Sequence, residues 1–258
     1  MYAIVTAGGI PKPKDPLYEY TQGKSKSLLD VQGKPMIQWV LDALSQSQHI
    51  QDVIIIGLGP ESGVTCAKPL HFCPNQGSML QNILFGVGEV LKMDPSAHHA
   101  LIASSDVPAV TGEMVDWIVQ NALKTDDDVY YHVVPQAIME KRYPNSHRTY
   151  THLKGLDVCG GDINVVRTMS VKDKEVILGE IIESRKNPFK QASIVGFDLL
   201  LLLLLRQVTL EGAVERISRR LGIKGRGVIC PYAEVGMDVD KPHQLEMMRA
   251  DLAKMSHT

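Results

Sequence analysis

The chain has 258 residues, 22% of them charged and 44% hydrophobic, with a formal net charge of −2. That composition suits a globular protein with a sizeable core, and the near-neutral balance gives no reason to expect nucleic-acid binding, which needs a basic excess. Cys66, Cys73, Cys159 and Cys230 show no CxxC spacing, so no zinc site is expected; mostly buried, reduced thiols in a cytoplasmic protein are. The apolar start MYAIVTAGG lacks the basic residues and length of a signal peptide.

In chain order, Tyr2–Thr6 is a short apolar run feeding Ala7-Gly8-Gly9, the pattern of a strand entering a tight loop. Residues 10–25, rich in Pro, Lys and Gly, read as a long loop. Pro35 opens a helix with Met36, Ile37, Val40, Leu41 and Leu44 at helical spacing. Residues 53–57 form a continuous apolar run, as in a strand covered on both faces. Residues 80–91 have helical period, and residues 100–104 form another buried strand, ending in Ser105-Asp106-Val107-Pro108. Thr111 caps a helix running to about Leu123, and residues 129–134 form a further strand. Strands alternating with helices predict a mostly parallel sheet with helices on both faces.

The second half is less regular. Residues 148–166 read as antiparallel strands, 171–185 and 210–221 as helices and 227–230 as a strand, before Pro242 starts a terminal helix. The fold expected is α/β: a three-layer α/β/α, Rossmann-like domain over residues 1–258, with a small antiparallel insertion and helices in about residues 135–225. Leu199 and Leu205 bound an unbroken run of seven leucines. A membrane span needs roughly 20 apolar residues, so this run reads as a helix buried on all sides, with a homodimer contact or a membrane-surface contact as the alternatives. His98 and His99 read as turn residues, and Trp39 and Trp117 as core.

Ligands of α/β proteins bind at the C-terminal ends of parallel strands, and three polar features fall there. Ala7-Gly8-Gly9 allows close backbone approach to phosphates, with Lys12, Lys14, Lys24 and Lys26 supplying charge. It is neither a P-loop nor a GxGxxG fingerprint, and a plain structural turn fits it equally. Asp106, directly after a buried strand, suits Mg²⁺, which takes oxygen ligands and few carboxylates; a turn aspartate is the alternative. Asp240, in Asp238-Val239-Asp240-Lys241-Pro242, is either the N-cap of the last helix or a second carboxylate for the same ion.

The order of these features, with Lys26-Ser27-Leu28-Leu29-Asp30-Val31-Gln32-Gly33-Lys34-Pro35-Met36-Ile37 after the glycines, resembles the MobA-like NTP transferases, part of the wider group of sugar-phosphate, cytidylyl and guanylyl nucleotidyltransferases. Asp106 with Pro108 matches that family's Asp-x-Pro element. The stretch from Asp238 to Pro242, followed by Leu245, looks like its Asp-x-Asp-Thr-Pro-Glu-Asp-Leu element. The resemblance spans nearly the whole chain and is thinnest from about 135 to 225. It implies magnesium-dependent transfer of NMP from an NTP to a small phosphorylated acceptor (a sugar phosphate, polyol phosphate or cofactor precursor) with release of pyrophosphate.

Residue by residue, the resemblance implies that Ala7, Gly8 and Gly9 approach the triphosphate and that Lys26 neutralises it. Gly77 and Ser78 would sit near the base or ribose, with Asn82 beside them. Asp106 and Asp240 would hold Mg²⁺, with Lys26 and Asp106 catalytic. Gly160-Gly161 and Asn164 resemble acceptor-side residues. The opening loop departs from the family's Gly-x-Gly-x-Arg-Met by being longer and lacking the arginine, and the last motif has Lys241 for Thr and His243-Gln244 for Glu-Asp. Arg142, Arg148, Tyr150 and Lys154, in the irregular middle, are either acceptor-binding or plain surface residues. Two rival readings are a nucleotide-sugar-dependent glycosyltransferase and a non-catalytic nucleotide-binding module. The first normally carries Asp-x-Asp where this chain has Ser104-Ser105-Asp106.

Overall fold

The computed structural model describes residues 1–173 and 197–255. Its strands are β1 (Tyr2–Thr6), β2 (Asp30–Val31), β3 (Lys34–Pro35), β4 (Asp52–Ile56), β5 (Leu70–Cys73), β6 (His99–Ser104), β7 (Val129–Pro135), β8 (Thr151–Leu153), β9 (Leu156–Gly160), β10 (Ile163–Arg167) and β11 (Gly225–Ile229). Its helices are α1 (Tyr18–Thr21), α2 (Met36–Gln46), α3 (Met79–Met93), α4 (Gly112–Ala122), α5 (Gln136–Arg142), α6 (Thr168–Asp173), α7 (Phe197–Leu204), α8 (Leu210–Leu221) and α9 (Pro242–Met255).

β5, β4, β1 and β6 stand side by side and parallel. β10 pairs antiparallel with both β6 and β7, and β11 pairs parallel with β7 along its other edge. Most strands of this mixed sheet therefore point one way. Alternation along β1 explains the layers. Ala3 and Val5 face one core with residues of α2, α4 and α9, whereas Tyr2 and Ile4 face a second with residues of α3 and α6. A third cluster joins Val133, Leu153 and Val158 to Leu199, Leu210 and Ala213 of α7 and α8.

β9 and β10 are two halves of one bent strand lying along the same edge of β7. Val133 pairs with Gly160, so a regular ladder would match Tyr130 with Ile163; it matches Val165 instead. Two extra residues bulge at Gly161 and Asp162. Gly161 N–H still donates to His132 O (2.8 Å), and a Cβ on Gly161 would lie 3.0 Å from that oxygen, a tight contact that glycine avoids. The expected antiparallel strands are present as β8, β9 and β10, and β10 lies in the main sheet between β6 and β7.

Four readings are corrected. The leucine run is not buried on all sides. Leu199 is buried, but Leu201, Leu204 and Leu205 are 57%, 74% and 55% exposed. Seven leucines cover every face of a helix, while α7 meets the body of the protein along only the sector that packs on β8 and β9. No helix among the described residues is long and apolar enough to cross a membrane. His99 is the first residue of β6, opposite Arg167, rather than a turn residue. The loop of residues 10–25 contains α1, and β5 and α5 join elements the patterning did not predict. Finally, the thiols are free as expected, but Cys66 and Cys73 are only partly buried. Of the helix predicted over 171–185, residues 174–185 lie outside the described residues.

His132, on β7, is fully buried against Trp117, and neither ring nitrogen has a hydrogen-bond partner among the described residues. Burial pushes its pKa down to about 4, so it is neutral in the fold but protonates near 6.5 when unfolded. Its contribution is complete above pH 6.5 and is lost as the pH falls towards 4, by up to about 3 kcal/mol. His132→Phe is expected to lose less stability than wild type between pH 7.5 and 5 in urea titrations. Equal losses would show that His132 does not drive the acid sensitivity.

Candidate active site

Three loops meet at the C-terminal ends of β1, β4 and β6. After β4, Gly57 has φ +106, and a Cβ there would lie 2.4 Å from the Gly8 Cα, so glycine allows this turn to support the glycine loop from below. From the side, the Ser25 and Ser27 hydroxyls donate to Ala7 O (3.1 and 3.3 Å), and Lys26 N–H donates to Gly9 O (2.9 Å). Ala7 is therefore a strut, its N–H also being bonded to Ile56 O (2.8 Å). The N–H groups of Gly8 and Gly9 have no acceptor among the described residues, which leaves two backbone donors available in the loop that lines the cleft.

Asp106 follows β6 and is buried; its Oδ1 accepts from the Ser104 hydroxyl (2.5 Å), and its carbonyl accepts from Val239 N–H (3.0 Å). That main-chain bond brings the C-terminal motif alongside. Val239 is fully buried, so Asp238 and Asp240 on either side of it turn back towards the cleft. One carboxylate oxygen each of Asp106, Asp238 and Asp240 lies within 4.8 Å of the others. Lys26 Nζ bridges Asp106 Oδ2 (2.5 Å) and Asp240 Oδ1 (2.6 Å). The Asp240 carboxylate therefore reaches Lys26, and Gln244 Oε1 accepts the N–H groups of Asp240 and Lys241 at the start of α9. Burial alone would lower the Lys26 pKa, but the two carboxylates outweigh it and hold the ammonium charged well above the usual lysine range.

Asp162, at the β9–β10 bulge, adds a fourth acid. Its side chain is 29% exposed, yet Oδ2 is buried without a hydrogen-bond partner. Burial, then the neighbouring Asp106, pushes its pKa up to about 7 against the opposing Arg148. Arg148 pairs with Asp238 and stands 3.7 Å from Asp162 Oδ2. Sequence reasoning missed Asp162 and, although it quoted Asp238, gave it no role. The visible signals were the residue after Gly160-Gly161 and the Asp-x-Asp spacing.

On the far side, the expected base-side residues form one turn. Asn75, also missed, donates to Gly8 O (3.1 Å) and accepts from Gly77 N–H (3.0 Å) and the Asn82 amide (3.1 Å). Asn82 is buried and also accepts from Gln76 N–H (2.7 Å), so it shapes this turn from beneath. Ser78 caps α3 by accepting from Gln81 N–H. Asn164 bridges the bulge, accepting from His132 N–H and donating to Gly161 O. Arg142 is held by Glu234 and Asp251, and Tyr150 by Glu140.

Gly8, Gly9, Lys26, Gly77, Ser78, Asn82, Asp106, Asp162, Asp238 and Asp240 line one hollow of about 410 Å³. Larger hollows of about 690 Å³ beside the β8–β9 hairpin and about 670 Å³ along β11 exist, but among the described residues neither brings three carboxylates close enough to share one ion. The model of the MobA-like NTP transferase domain family matches residues 17–158 of the chain. The protein belongs to this family. It is 30% identical to a hypothetical transferase from Thermus thermophilus, with a TM-score of 0.83 over 95% of this chain and 98% of that one. A CMP:2-keto-3-deoxy-manno-octonic acid synthetase complexed with CTP is 16% identical (TM-score 0.61, 98% of each chain). The 4-diphosphocytidyl-2C-methyl-D-erythritol synthase of Anaerococcus prevotii is 11% identical (TM-score 0.59, 98% and 95%). These last two likenesses are of fold. Comparison with curated proteins finds no match.

Proposed function

We propose that this MobA-like NTP transferase binds an NTP with Mg²⁺ in the 410 Å³ hollow and transfers its NMP unit to a small phosphorylated acceptor, releasing pyrophosphate. The observation that carries this reading is the convergence of Asp106 and Asp240, 134 residues apart, on Lys26, beside two glycine amides that have no acceptor among the described residues. The donor set suits Mg²⁺: hard carboxylate oxygens within 4.8 Å of one another, and a buried Asp162 oxygen that faces Arg148 at 3.7 Å but has no hydrogen-bond partner among the described residues. Asp106 and Asp240 would hold the ion, with Asp238 in reach. When bound, it supplies Lewis-acid polarisation and charge neutralisation at the phosphates.

The chain's own residues do the positioning. Gly8 and Gly9 donate to phosphate oxygens, Lys26 adds a fixed positive charge, and the turn of Asn75, Gly77 and Ser78 borders the base and ribose. Arg148 and Asp162, with Gly161 and Asn164 behind them, bound the acceptor side. An acceptor oxygen attacks the α-phosphorus, the bond from α-phosphorus to the α–β bridging oxygen breaks, and pyrophosphate departs with that electron pair. A phosphate acceptor is already ionised at neutral pH, so no general base is required.

The test is pyrophosphate release from each of the four NTPs with Mg²⁺ and a panel of sugar phosphates, polyol phosphates and phosphorylated cofactor precursors. CTP comes first, because two structural relatives carry CTP or a cytidyl group in their names. Acceptor-dependent release that a chelator abolishes is expected. Saturable NTP binding without release would support the non-catalytic module instead, and nucleoside diphosphate release from a nucleotide sugar would support glycosyl transfer.

A further inference from the structure

α7 has two leucine faces, and the fold covers one of them. Leu199, Leu202 and Leu203 join the cluster that holds Leu153 and Val158 of β8 and β9. Leu201, Leu204 and Leu205 repeat the same i, i+3, i+4 spacing on the opposite face, and all three are exposed. A contiguous apolar face of this kind marks a contact surface.

Both ends of that face are positively charged. At the start of α7, Asp198 is held by Arg216 (3.0 Å) and Arg220 (2.7 Å) of α8, so one acid meets two cations. At its end, Arg206 follows Leu205, and Lys154 N–H donates to Val208 O (2.9 Å), which brings the β8–β9 turn alongside. Arg206 and Lys154 are exposed, and their side chains make no hydrogen bond or ion pair among the described residues. The neighbouring acids do not answer them. Glu140 and Asp157 border the same hollow as Arg206, but they are engaged by Tyr150 (2.6 Å) and His152 (3.0 Å). Glu211 and Glu215 of α8 line the hollow along β11 instead.

Arg206 also occupies a backbone position that favours glycine. Gln207 N–H donates to Leu202 O (2.8 Å) and Arg206 N–H to Leu203 O (3.0 Å), the paired closure of a helix C-terminus, with Arg206 at φ +54. Glycine would close this turn without strain, so the turn itself does not call for an arginine.

The charges choose between occupants. A second copy docked on this face, parallel or antiparallel, would set the positive ends of two α7 helices against each other, and like charges across an interface are unfavourable. An anionic lipid surface matches both ends and takes up the leucines between them. With eight residues, α7 is about 12 Å long, so the contact lies on the surface and does not cross it. We propose that this face is a peripheral docking site for an anionic membrane surface. Leu201, Leu204 and Leu205 enter the interface, and Arg206 and Lys154 lie among the headgroups.

The experiment co-sediments the full chain with vesicles of phosphatidylcholine alone, or with about one third phosphatidylserine. Wild type is expected to bind the anionic vesicles at least about fivefold more tightly than the neutral ones, and more weakly as salt rises. Leu204→Gln should weaken that binding about tenfold. Arg206→Gly, which relieves the positive φ and so keeps the fold, should weaken it about fivefold, and Arg206→Lys should restore it. Melting temperatures check that each variant is folded, and Leu201→Gln replaces Leu204→Gln if the latter is not. Wild type left in the supernatant, equal binding to both vesicles, or folded variants that bind as wild type does overturn the proposal. Self-association in analytical ultracentrifugation that Leu204→Gln abolishes, without vesicle binding, overturns it in favour of a second copy.

Discussion

Asp106→Ala is expected to lower turnover by at least about 100-fold in a protein that still folds. Asp106 is the buried member of the acid cluster, held by the Ser104 hydroxyl and by Lys26. Its removal takes away the carboxylate that would fix the cation over the α-phosphate, together with one anchor of the Lys26 ammonium. The fold tolerates the loss, because the main-chain bond from Val239 N–H to Asp106 O does not depend on the side chain. The second readout is thermal stability. A ligand at 100 times its Kd stabilises by about 2.7 kcal/mol, so Mg²⁺ with nucleotide should raise the melting temperature of wild type but not of the variant. Near-wild-type turnover in folded Asp106→Ala would remove the metal assignment.

Lys26→Ala should cost turnover on the same scale, with the opposite stability signature. Lys26 is the charge that lets Asp106 and Asp240 approach one another, so without it two carboxylates face each other uncompensated. The apo protein should lose about 1–3 kcal/mol, less than for a fully buried pair because the Asp240 side chain is 58% exposed and partly screened by water. Mg²⁺ alone should then restore more stability to Lys26→Ala than it adds to wild type, since the ion substitutes for the missing charge. Urea midpoints with and without Mg²⁺ measure this. A variant no less stable than wild type, and indifferent to Mg²⁺, would mean that Lys26 neither offsets the acids nor shares their site.

The exposed leucines of α7 show where patterning misleads. A run without polar residues carries no directional information, because every face of the helix is equally apolar. Burial of Leu199 but not of Leu204 depends on where the sheet happens to stop. β5 escaped notice for a related reason: it is a four-residue edge strand, half-buried throughout, and lacks the apolar run of the central strands. The buried strands β1, β4 and β6 were legible because both of their faces are covered, which forces nearly every residue to be apolar.

What the sequence determined by itself was the alternation of strands and helices, the glycine loop, Lys26, and the two acids at strand-to-helix junctions. Each is local, set by backbone freedom, apolar periodicity or a charged residue beside a buried run. Only the tertiary structure decided that β10 enters the middle of the sheet and carries Asp162 to the site on a bulge. It also decided that Asn82 and Asn164 brace turns and that Arg148 is tied to Asp238. Those outcomes depend on which strands pair and in what register, and long-range pairing of that kind leaves no periodic trace along the chain.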